Sequence, residues 1–117
     1  MITIITSSRY KINRQKIKLF VQSIFEKEQI TSEYSLNIVF VGKNKMKSFT
    51  ERYKGEKEAL PVLSFPYHEK IFDDREILLG EVVICYPLVV LLSAERNKRV
   101  DEVTNDLIKH GIDNLIK

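Results

Sequence analysis

Apolar positions along the chain recur at period two, then near four, then two again, and each change of period marks an element. Ile2 to Thr6 is a short run rich in β-branched residues and predicts a strand. From Asn13 to Lys27, Ile17, Phe20, Val21, Ile24 and Phe25 recur at helical spacing and predict an amphipathic helix. Leu36 to Val41 predicts a second strand, ending at Gly42. Asn44 is the candidate N-cap of the next helix, Met46, Phe49 and Tyr53 share one of its faces, and Gly55 stops it. A charged loop, residues 56–60, follows. Val62 to Phe65 predicts a short strand between Pro61 and Pro66, neither of which can donate to a ladder. Tyr67 to Glu76 reads as a polar loop and Leu78 to Tyr86 as a strand interrupted by Gly80. Pro87 opens a helix running to about Lys98. A last helix runs from about Val100 to Leu115, with Asp101 and Glu102 in the first turn, where the helix dipole favours carboxylates.

The order β-α-β-α-β-β-α-α describes an α/β fold, a small mixed sheet with helices packed on it. The length of 117 residues argues for a single domain spanning 1–117. On a helical wheel, Val100, Val103, Leu107, Ile108, Gly111, Ile112 and Leu115 of the last helix form one broad apolar arc. Asn114 falls at the edge of that arc, His110 just outside it, and Asp106 and Asp113 further round. This predicts His110 and Asn114 at the rim of the core, where a cleft floor would lie.

A hydrophobic fraction of 44% and a charged fraction of 30% fit a globular chain. The longest apolar run, Pro87 to Leu92, falls well short of the ~20 residues of a membrane helix, so no membrane partner is expected. The N-terminal segment has no basic residue ahead of its apolar part and reads as a strand, not a signal peptide. Cys85 is the only cysteine, so no intrachain disulfide or paired-cysteine metal site can form, and a cytoplasmic location is expected. Its place in an apolar strand predicts a packed thiol. The net charge of +3 permits a nucleic-acid partner without requiring one. The basic residues cluster twice, at Arg9, Lys11, Arg14, Lys16 and Lys18, and at Lys43, Lys45, Lys47, Arg52, Lys54 and Lys57. Each cluster alone reads as a solvated face, and two in one small domain set an RNA-binding surface level with that alternative.

Three motifs then stand in order: Tyr53-Lys54-Gly55, six residues, then Val62-Leu63-Ser64-Phe65-Pro66; Leu79-Gly80-Glu81 opening a strand; and His110-Gly111 with Asn114 four residues after the histidine. In this order and spacing they resemble the YbeY family of bacterial rRNA maturation factors. The resemblance covers about Leu36 to the C-terminus. It implies a YbeY-like, zincin-like fold and a metal-dependent, single-strand-specific endoribonuclease. Single-stranded RNA or rRNA and the small ribosomal subunit are the implied partners and zinc the implied cofactor.

Carried over residue by residue, the resemblance puts Lys54 at the position of an arginine implicated in cleavage. Lysine keeps the charge but lacks the bidentate fork suited to phosphate. Arg52, Lys54, Lys57 and Ser64 are the implied RNA contacts. His110 matches the first of three histidine ligands, and Asn114 replaces the second. The sequence ends at Lys117, before the place of the third. A shortened chain would explain the missing third histidine but not Asn114. Three imidazoles and an open position let zinc bind and activate water; one imidazole does not hold it tightly. Zinc is therefore expected to bind weakly or not at all, with His110 a vestigial ligand and Asp106 and Asp113 candidate substitutes. The alternative for both aspartates is a solvated surface role, and for His110 a partly buried ring hydrogen-bonded to backbone. His68 is expected exposed in the polar loop. Ser64 lacks the turn and partners of a serine nucleophile and is expected to hydrogen-bond neighbouring backbone; the resemblance implies at most a substrate contact at a cleft wall. The function implied is rRNA maturation with cleavage weakened or lost. The alternative is a non-catalytic RNA- or ribosome-binding module on the same scaffold.

Overall fold

The computed structural model describes residues 1–67, 71–73 and 76–116. Its elements are β1 (Ile2–Ile5), α1 (Arg14–Lys27), β2 (Tyr34–Val41), α2 (Lys43–Lys54), β3 (Val62–Pro66), β4 (Ile71–Asp73), β5 (Glu76–Cys85), α3 (Tyr86–Arg96) and α4 (Val100–Ile116). The α/β class with a small mixed sheet is as the periodicity predicts. The strands run in the order β1-β2-β5-β3, with β4 also pairing with β5. β1, β2 and β5 are parallel, while β3 and β4 run antiparallel to β5.

β5 is central, and Val82, Val83, Ile84 and Cys85 are accordingly all buried, whichever face they point to. On one face Leu36, Ile38, Phe40, Val82 and Ile84 pack with Ile17, Val21, Ile24 and Phe25 of α1 and with Val103, Ile108 and Ile112 of α4. On the other face Val41, Leu63, Val83 and Cys85 pack with Met46 of α2. The two helices that carry the motifs, α2 and α4, thus lie on opposite faces, with β3 at the end of the strand order beside both.

Local chemistry sets the boundaries. Asn13 caps α1, its side-chain oxygen accepting from the Lys16 amide at 3.1 Å. The N-cap of α2 is Gly42 with no side-chain bond, and Asn44 lies inside the helix rather than at its cap. Gly55 ends α2 in the left-handed conformation, φ 68°. Asn97 ends α3 in the same conformation, φ 53°, two residues or so before the predicted stop. The stretch expected to be a loop from Tyr67 to Glu76 contains β4, a three-residue strand registered Ile71 to Ile77 and Asp73 to Glu76. His68 lies outside the described residues. Gly80 marks a bulge: Ser35 pairs with Leu78 but Leu36 with Gly80, so Leu79 is the extra residue. A β-carbon on Gly80 would stand 2.6 Å from the Phe65 carbonyl oxygen, a contact only glycine avoids.

Candidate functional site

Register brings the motifs to one level of the sheet. Ser64 of β3 pairs with Val82 of β5, and the next residue, Phe65, pairs with Glu81. Because side chains alternate, Ser64 faces α4 and Phe65 faces the α2 side. The Ser64 hydroxyl donates to the Gly111 carbonyl of α4 at 2.8 Å. A β-carbon on Gly111 would lie 2.5 Å from Val82 Cγ1 and 3.3 Å from Ser64 Oγ. Glycine there allows the helix to seat directly on the sheet, and Ser64 fixes it. The expected backbone hydrogen bond of Ser64 is thus present, and its hydroxyl is half-buried beneath the helix.

His110, adjacent to Gly111, is exposed, and so is Asn114 one turn on. The wheel puts Asn114 at the edge of the apolar arc. The buried residues are Val103, Thr104, Leu107, Ile108, Gly111, Ile112 and Leu115, the predicted arc with Thr104 in place of Val100, and Asn114 at its edge near the helix end faces solvent. Asp106 Oδ2 stands 3.4 Å from Lys98 Nζ, and Asp113 Oδ2 stands 3.2 Å from Lys109 Nζ. Among the described residues no three His, Cys, Asp or Glu side chains stand close enough to hold an ion. The donor set present on α4, one exposed imidazole, an amide and two lysine-paired carboxylates, does not fit a zinc site of the three-imidazole kind.

On the α2 side, Arg52 and Lys54 occupy the last turn of the helix, where the dipole favours cations, and Lys57 follows in the loop. All three are exposed, and none joins an ion pair among the described residues. The loop is pinned back on α2 by buried Thr50, whose hydroxyl donates to the Met46 carbonyl and accepts from the Leu60 amide. Tyr53, between the two cations, meets Phe65 edge to face at a centroid distance of 4.9 Å. Phe49 completes the group, 6.5 Å from Tyr53 and 6.1 Å from Phe65. Tyr67 borders them, and burial, then the charges of Glu81 and Tyr53, raise its phenol above the usual range. Glu81 is held by Asn37, which donates to it at 3.2 Å.

Sequence reading placed Tyr53 on the apolar face of α2 but missed the aromatic group. It expects a backbone partner for Ser64 but does not identify Gly111, 47 positions away, as that partner. A glycine within an arc of large apolar residues was the available signal for close approach at Gly111.

Cys85 is buried, and burial raises its thiol, so it packs and does not act as a nucleophile. A cavity of about 590 Å³ lies elsewhere, at the N-terminal end of α4, lined by Lys11, Lys16, Tyr86 and Arg99. Asp101 engages both Lys16 and Arg99 there, each at 3.8 Å. No helix among the described residues is long and apolar enough to cross a membrane.

Residues 3–115 match the model of the family described as Endoribonuclease YbeY. The chain belongs to the YbeY family. It is 31% identical over 81 residues to the Endoribonuclease YbeY of Thermodesulfovibrio yellowstonii, covering 69% of this chain and 50% of that protein. To that of Cupriavidus necator it is 28% identical over 99 residues, covering 85% and 46%. The chain thus spans about half the length of these YbeY relatives. The solution structure of TM1509 from Thermotoga maritima shares the fold, with a TM-score of 0.62 at 21% identity, covering 96% of this chain and 69% of that one.

Proposed function

We propose that this chain is an rRNA-maturation protein of the YbeY type that binds single-stranded RNA along the β3 edge, with metal-dependent cleavage weakened or lost. The observation that carries this reading is the group Arg52, Lys54 and Lys57, exposed beside the family's strand motif and joined in no ion pair among the described residues. Three exposed cations on one rim attract a phosphate backbone by releasing its counterions. Lys54 holds the arginine position, and its single ammonium binds phosphate as a point charge without the planar fork. The RNA is ribosomal and the setting cytoplasmic, next to the small ribosomal subunit. Ser64 contributes by seating α4.

A second reading, a non-catalytic RNA- or ribosome-binding module, is favoured by the state of α4. His110 is followed one turn on by an amide, and Asp106 and Asp113 each face a lysine ammonium within 3.4 Å. Zinc, the family's cofactor, then binds weakly or not at all.

A zinc titration of the chain and of Asn114→His, with a cleavage assay on single-stranded RNA beside it, separates the two readings. Histidines four apart on one helix face share a metal, so Asn114→His should bind zinc measurably better than the parent. Cleavage by the parent that a chelator abolishes would support the weakened enzyme over the binding module. Equal, tight binding of one zinc per chain by both proteins would overturn the assignment of positions 110 and 114.

A further inference from the structure

Tyr53 is 56% exposed although it belongs to the apolar face of α2. Packing alone would turn such a ring inward, because burying an aromatic side chain is among the larger gains a small domain can make. Phe65 and Phe49 hold the Tyr53 ring from one side, at 4.9 and 6.5 Å between centroids. The ring is thus fixed in place yet open to solvent. Arg52 and Lys54 flank it in sequence, one residue either way, so cations project to both sides of it at about 100° around the helix.

We infer that Tyr53, supported by Phe65 and Phe49 and flanked by Arg52 and Lys54, is a base-stacking subsite for an unpaired nucleobase of single-stranded RNA. Proteins that hold single strands combine a cationic track for the backbone with aromatic rings on which bases stack. Both parts are here on one helix turn. Inside a duplex both faces of a base are covered by the stacked neighbouring pairs, so this subsite discriminates against duplex by geometry. It deepens the proposed function and rests on that reading: the cations supply affinity for any polyanion, and the ring supplies preference for one that carries bases.

The test measures binding of two probes, a fluorescent twelve-residue oligouridylate and inorganic polyphosphate, at one fixed salt concentration. The proteins are the parent, Tyr53→Ala, Tyr53→Leu, Tyr53→Phe and Lys54→Ala. Tyr53→Leu retains apolar cover over Phe65 but has no π-face, so it separates stacking from packing. Tyr53→Ala and Tyr53→Leu should weaken oligouridylate binding by about 5- to 100-fold and leave polyphosphate binding as in the parent. Tyr53→Phe should bind both probes as the parent does. Lys54→Ala should weaken both. If Lys54→Ala weakens both probes while Tyr53→Ala and Tyr53→Leu bind oligouridylate as tightly as the parent, the stacking subsite is wrong and the RNA reading stands. The subsite is equally wrong if Tyr53→Leu loses polyphosphate and oligouridylate alike. If the parent binds neither probe, the RNA reading falls, and the subsite with it.

Discussion

The two faces of the sheet differ in how completely they are closed. Under α1 and α4, Val21, Leu36, Ile38, Val82, Ile84, Val103, Ile108 and Ile112 are all 0% exposed. Helix α4 sits so near the strands that position 111 has no room for a β-carbon. Under α2 the buried group is smaller, and the helix ends in an exposed tyrosine between exposed cations. The first face seats the His110-Gly111 helix on the strands that carry the two sheet motifs. The second stops burying apolar surface at the point where the β3 motif emerges, and leaves rings and charges available. On the proposed reading, stability and recognition fall on opposite sides of one small sheet.

The comparison predicts unequal costs for truncating side chains on the two sides. Ile108→Ala removes a fully buried side chain from the α4 face and should destabilise the fold by about 3–4 kcal/mol, transfer and cavity terms together. Tyr53→Ala should cost under about 1 kcal/mol, because more than half of the ring is already in solvent. Urea unfolding of both variants checks this. Comparable losses would mean that the α2 side is as much a part of the core as the other.

Ser64→Ala should cost less than Ile108→Ala, about 1 kcal/mol, the net worth of one hydrogen bond. It leaves the Gly111 carbonyl without this donor. Thermal unfolding reads the loss. A neutral substitution would show that glycine-to-sheet contact alone seats α4.

Much of this arrangement was legible before any coordinates. Ile17, Val21, Ile24 and Phe25 announce α1 because burial on one helix face imposes its own period, whereas the role of Asn13 as its cap, accepting from the Lys16 amide, is seen only in the structure. The start of α2 was not legible. Gly42 and Asn44 are both acceptable near a cap, and only tertiary placement puts the first helical residue at Lys43. β4 was hidden because three residues among charged neighbours carry no periodicity. At the site, the family resemblance picked out Lys54, Ser64, His110 and Asn114, and the structure puts Lys54 at the end of α2, Ser64 on β3, and His110 and Asn114 on α4. What spacing could not show was how far the apolar arc of α4 is buried or where the sheet ends beneath Tyr53. Nor could it show that Ser64 and Gly111, 47 positions apart, are bonded. Those depend on contacts distant in sequence.

The central claim is that the open side is an electrostatic RNA surface around Lys54. Its most direct test is the dependence of oligouridylate affinity on salt for the parent and for Lys54→Ala. Three phosphate contacts by Arg52, Lys54 and Lys57 predict a slope of log affinity against log salt near about −2 for a single strand, and the variant should bind more weakly with a slope flatter by about 0.7. Parent binding that ignores salt, or no binding at low ionic strength, would contradict the account.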